Sequence, residues 1–135
     1  MKIYLSIDGT EKKGYFTATS ADLTGVCEDA EATEILAPHI LDFISFAQMG
    51  EFIQYLCSKL RHKGKLIVGG TEPNEVCKAF VLKSLNVQQL NEILYSGQQG
   101  VYPLSDISAI LESNGLIINR KKIEGVKFVI EAARG

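Results

Sequence analysis

Residues 34–70 read EILAPHILDFISFAQMGEFIQYLCSKLRHKGKLIVGG. A short apolar strand, Glu34 to Ala37, is stopped by Pro38, which cannot donate to a sheet ladder. A helix follows over about Phe46 to Leu60. Phe46, Met49, Phe52, Ile53, Leu56 and Leu60 recur at spacings of three and four and make one apolar stripe. Ser45 stands where a helix cap belongs, with Gln48 at the capping-box position. Lys59, Arg61 and His62 suit the negative end of the helix dipole, and Gly64 suits a left-handed stop. Lys65 to Gly69 is a second strand with few polar residues, as expected where both sheet faces are covered. Two strands separated by one helix form a crossover unit, so they lie parallel in one sheet.

Outward from that unit, Lys2 to Ile7 alternates apolar and polar residues and reads as a strand. Asp8-Gly9 marks a turn. Gly14 to Ser20 is aromatic and β-branched, and forms a second, short strand. Ala21 to Thr33 is acidic and reads as loop. On the other side, Pro73 opens a helix that runs to about Lys83. Asn86 caps another, with Gln89 as its box partner and Val87, Leu90, Ile93 and Leu94 on one face. Ser105 caps a third, which turns Ile107, Ile110 and Leu111 inward and stops at Asn114-Gly115. Leu116 to Lys122 and Val126 to Ala132 are strands joined by a tight turn at Glu124-Gly125, an antiparallel hairpin. The expectation is one α/β domain over residues 1–135: a Rossmann-like, mostly parallel sheet that ends in a C-terminal antiparallel hairpin.

Composition bounds the function. The 135 residues carry a net charge of −2, with 46% apolar and 22% charged side chains. Such a chain builds a core without staples. It lacks the basic excess of a nucleic-acid binder, so nucleic acid is not an expected partner. The clusters Lys59–Lys65 and Arg120–Lys122 read as solvated turns. No apolar run is long enough to span a bilayer, and the N-terminus is not patterned as a secretory signal. A cytoplasmic location and no membrane partner are therefore expected. Cys27, Cys57 and Cys77 are odd in number and form no close pair, which argues for free thiols and no metal site.

The order of these elements resembles the C-terminal half of class I S-adenosylmethionine-dependent methyltransferases. Members of that family place Leu-Lys-Pro-Gly-Gly before their fifth strand. Here Leu60-Arg61-His62-Lys63-Gly64-Lys65 precedes Leu66-Ile67-Val68. Glu34 to Leu41 looks like the family's fourth strand and the turn after it. Leu94-Tyr95-Ser96-Gly97-Gln98 looks like a Leu-Tyr-Gly-Gly-Gln stretch of small members. Residues 111–134, a helix ending in glycine and then two antiparallel strands, complete the match over roughly 100 residues.

The resemblance implies S-adenosylmethionine as cofactor. It places the cofactor against the turn at Asp8 and Gly9, the segment around Asp22, and Pro38 and His39 after the fourth strand. Tyr95, Gln98 and Tyr102, before the last helix, fall where family members contact substrate, or else pack as a loop. His39 with Asp42 reads as a surface pair that opens a helix, or as a pair suited to acid–base work. Asp22 suits a ribose or adenine contact, or the capping of local amides.

The front of the chain departs from the pattern. The family's glycine-rich turn lets backbone approach the ligand, whereas Leu5-Ser6-Ile7-Asp8-Gly9-Thr10 keeps one glycine and adds a carboxylate. The first helix is absent, and Ala18 or Thr19 replaces the ribose-binding acid of compact members that resemble Gly14-Tyr15-Phe16. Two readings follow: a small methyltransferase with a degenerate cofactor motif, or a non-catalytic binding or assembly module on the same fold. A shortened front also under-covers one sheet face, so a homo-oligomer or a protein partner over that face is expected.

Overall fold

The structure is a computed structural model and describes residues 1–6, 11–18, 27–95 and 97–135. The strands are β1 (Lys2–Leu5), β2 (Phe16–Ala18), β3 (Ala32–Ala37), β4 (Leu60–Thr71), β5 (Leu116–Glu124) and β6 (Lys127–Arg134). The helices are α1 (Phe46–Lys59), α2 (Pro73–Val81), α3 (Val87–Tyr95) and α4 (Leu104–Ser113), with a 3-10 turn at Ile40–Phe43. The six strands form one sheet in the order β2-β1-β3-β4-β6-β5. β1 is parallel to β2 and β3, and β3 to β4, while β6 runs antiparallel to both β4 and β5. The mostly parallel sheet with a closing hairpin is as the sequence indicates. Asp8, Gly9 and Asp22 lie outside the described residues.

Strand alternation sorts the side chains onto two faces. Ile3, Leu5, Ile35, Ala37, Leu66, Val68, Phe128, Ile130 and Ala132 point inward and are buried. Met49, Ile53 and Leu56 of α1 and Ile107 and Leu111 of α4 join them in a single core. The other face is different. One registered row crosses all six strands as Thr17, Tyr4, Leu36, Ile67, Glu131 and Arg120. Tyr4, Leu36 and Ile67 are only half-buried there, and Arg120 is exposed. Among the described residues, the expectation that both faces of the Lys65–Gly69 strand are covered is thus corrected. α1 and α4 shield one face, and charged residues share the other, with Lys2 3.9 Å from Glu34 and Lys65 3.6 Å from Glu131.

Several local expectations change for physical reasons. Ser45 precedes α1, but its side chain makes no cap bond; the Gln48 N–H reaches the Ser45 carbonyl instead, at 3.0 Å. Leu60 leaves the helix and begins β4. The left-handed residue in the basic turn is Lys63, with φ +63°, and not Gly64. Gly64 is needed for space: a Cβ there would lie 2.8 Å from the Arg61 carbonyl oxygen and 2.9 Å from that of Ala32. α4 begins at Leu104, one residue before the expected Ser105 cap. By contrast, Asn86 and Gln89 form the expected reciprocal box, at 2.9 and 2.8 Å. Gly115 (φ +85°) ends α4's turn, and Gly125 (φ +63°) closes the hairpin.

Candidate functional site

β1 sits inside the sheet, and the chain leaves it for β2 on one side before returning as β3 on the other. Such a reversal opens a crevice at the carboxyl ends of the parallel strands, where open α/β sheets take ligands. A cavity of about 460 Å³ lies there. Leu5 and Ser6 line it from the end of β1, Pro38 and His39 from the end of β3, and Phe43 and Gln98 from the following turns. Tyr4 and Lys127 also line it, and alternation puts both on the face opposite α1 and α4, so the cavity adjoins that face.

Asp42 organises the floor. It is 3% exposed. Its Oδ1 accepts from the Thr71 N–H at 2.7 Å, and its Oδ2 accepts from Lys127 Nζ at 2.8 Å. Lys127 Nζ also donates to Thr71 Oγ1 at 2.8 Å. The carbonyl of Asp42 takes the Gln99 N–H at 2.7 Å, which draws the 97–100 segment to the cavity. Glycines allow this close packing. A Cβ on Gly69 would collide with the carbonyls of Pro38 and Phe128, and one on Gly70 would come 3.2 Å from Asp42 Oδ1. The expected His39–Asp42 pair is not formed among the described residues: His39 is exposed at the rim, and Asp42 is committed to Thr71 and Lys127.

Of the three residues expected at the substrate side, the cavity takes only Gln98. Its Oε1 is buried and, among the described residues, has no hydrogen-bond partner. Tyr95 is 79% exposed at the end of α3 and does not line the cavity. Tyr102 is 6% exposed and belongs to the core. Its hydroxyl donates to the Ile44 carbonyl, and burial pushes its ionisation above the ordinary phenol value. His62 lies on the first half of β4, at the opposite end of the sheet from His39.

Sequence reading passed over Glu72 and Lys127. Glu72 is buried between β4 and α2. Its Oε1 accepts from the Asn74 backbone N–H at 3.1 Å, and its Oε2 accepts from the Leu104 N–H at 2.7 Å. One carboxylate thus satisfies the first turns of both α2 and α4. The only local sign of it was an acid just before Pro73; its second partner is 32 residues away. Lys127 stands 85 residues from Asp42, and nothing in the chain pattern links them. No group of three or more metal-ligating side chains occurs among the described residues. Nor does any described helix have the length and apolar character to cross a membrane.

No protein-family model and no curated protein sequence matches this chain. Solved structures do match it in three dimensions. A SAM-dependent methyltransferase from Archaeoglobus fulgidus superposes with a TM-score of 0.65 over 98% of this chain and 75% of its own, at 9% identity. An O-methyltransferase family protein from Burkholderia thailandensis gives 0.63 at 14% identity over 90% of this chain. Magnesium protoporphyrin IX methyltransferase from Synechocystis, solved with bound SAH, gives 0.58 at 20% identity, again over 90%. This chain spans 35% of the Burkholderia protein's length and 51% of the Synechocystis enzyme's. The fold is that of the class I methyltransferases.

Proposed function

We propose that this domain binds S-adenosylmethionine in the crevice at the ends of β1 and β3. The observation that carries the reading is the cavity at the sheet's reversal point, lined among others by Gln98, whose buried side-chain carbonyl has no hydrogen-bond partner among the described residues. S-adenosylmethionine brings an ammonium and two ribose hydroxyls, any of which supplies the donor that Gln98 lacks. Leu5 and Ser6 on one side and the turn at Pro38 and His39 on the other form the two walls. When bound, the cofactor supplies a methyl group activated by its sulfonium. The chain's part is to orient an acceptor and exclude water. The His39 imidazole, exposed at the rim, is placed to receive the proton that an acceptor hydroxyl or amine gives up.

Calorimetric titration with S-adenosylmethionine and S-adenosylhomocysteine tests this. Micromolar binding is expected, and Gln98→Leu is expected to weaken it by about tenfold, the worth of one buried hydrogen bond. Absence of heat at millimolar ligand would remove the reading.

A second reading, a non-catalytic assembly module, is favoured by the sheet face that carries no helix among the described residues. Tyr4 and Lys127 sit where that face meets the cavity, so a partner laid over it would add a wall to the same crevice.

A further inference from the structure

α2 and α3 are amphipathic, yet α2 buries only Val76 and α3 buries nothing. They form an arm that leaves the body after Glu72 and returns before Leu104. At its tip, Phe80, Val81 and Leu82 are consecutive and exposed by 40%, 75% and 65%, and Val87 across the turn is 63% exposed. The tip is a built turn. Lys83 is left-handed (φ +62°), and the Ser84 N–H closes on the Ala79 carbonyl at 2.8 Å. Lys78 and Lys83 flank the apolar residues, and no acid occurs between Glu75 and Glu92.

We propose that this tip is an interfacial contact for an anionic lipid surface. Three features select that occupant. Consecutive residues on a helix point about 100° apart, and Leu82 follows Val81 at the helix end, so Phe80, Val81 and Leu82 fan outward and do not form the stripe that a protein groove reads. A fluid apolar medium accepts side chains pointing in every direction. Flanking ammonium groups with no neighbouring acid match an anionic headgroup layer. The same two lysines would face their own copies in a tip-to-tip dimer and oppose it. The expectation of no membrane partner rested on the lack of a spanning segment, which an interfacial contact does not need.

Flotation of the whole protein with vesicles of equal parts phosphatidylcholine and phosphatidylserine is the test. The protein is expected to float with these vesicles and not with phosphatidylcholine alone. Val81→Asp with Leu82→Asp should abolish flotation. Lys78→Gln and Lys83→Gln should each weaken it about fivefold. All four side chains are exposed, so unchanged circular dichroism is expected to certify folding. Cys77 is exposed while Cys27 and Cys57 are buried, so an environment-sensitive dye on Cys77 gives a second readout, a blue shift on vesicle addition. Failure of the wild-type protein to float would overturn the proposal. So would flotation unaffected by the aspartates, or a concentration-dependent dimer that they dissolve.

Discussion

Lys63 and Gly64 are neighbours whose roles are the reverse of what their chemistry suggests. The left-handed conformation falls on the lysine, where a Cβ is strained, while the glycine lies outside the left-handed region and is needed because a Cβ would meet the Arg61 and Ala32 carbonyls. Opposite effects follow. Lys63→Gly should raise stability by about 1 kcal/mol by relieving the strain. Gly64→Ala should lower it by about 1–3 kcal/mol, because carbonyl oxygens under 3 Å away must shift. Urea denaturation of the two variants reads both signs. A family-like Gly in the basic turn thus signals position correctly and mechanism incorrectly: spacing cannot tell a residue needed for its dihedral from one needed for its size. Tyr102 makes the same point at the site. An aromatic in a loop before a helix has the same local pattern whether it meets a ligand or, as here, packs inward and ties its hydroxyl to Ile44.

Elements with a strong internal period were legible. Helix spacing against strand alternation marked α1, the strand pair around it and the closing hairpin, since a 3.6-residue and a 2-residue repeat bury different sets of side chains. The Asn86–Gln89 box was legible because both partners lie within one turn. What joins elements was not. Glu72 bridges the starts of α2 and α4 across a 32-residue excursion, and its meaning exists only once the chain returns. Glu72→Ala would strand the Asn74 and Leu104 N–H groups. We expect a loss on the order of 2 kcal/mol in urea denaturation, with faster amide exchange through α2 and α3 and little change in α1. Equal exchange in both regions would show that the carboxylate does not anchor the arm.

At the scale of the molecule, the sheet carries helices on one face only among the described residues. The sequence implied under-coverage through its shortened front; the structure shows which side chains line the open face. Leu36 and Ile67 stand at its centre, with Glu34, Glu131, Lys65 and Arg120 beside them. Charges of both signs and a modest apolar centre suit a second copy or a partner of like kind. Sedimentation equilibrium should show concentration-dependent association that Ile67→Glu abolishes while the domain stays folded. A monomer at all concentrations would argue against self-association through this face.

The same architecture places the crevice. Its location followed from strand order alone, because a chain that reverses direction across β1 must leave a gap at the strand ends. Its polar groups were legible only in part: Gln98 and Asp42 stood out as candidates, but Lys127 and its bond to Asp42 did not, since the two are 85 residues apart. The central claim is that this gap receives S-adenosylmethionine or its product. Amide NMR spectra of the protein titrated with S-adenosylhomocysteine test it most directly. The account predicts saturable shifts at residues 4–6, 39–43 and 97–99 and at Lys127, with Arg61, His62 and the β5–β6 turn unmoved. No shifts at millimolar ligand, or shifts centred on the His62 end of the sheet, would contradict it.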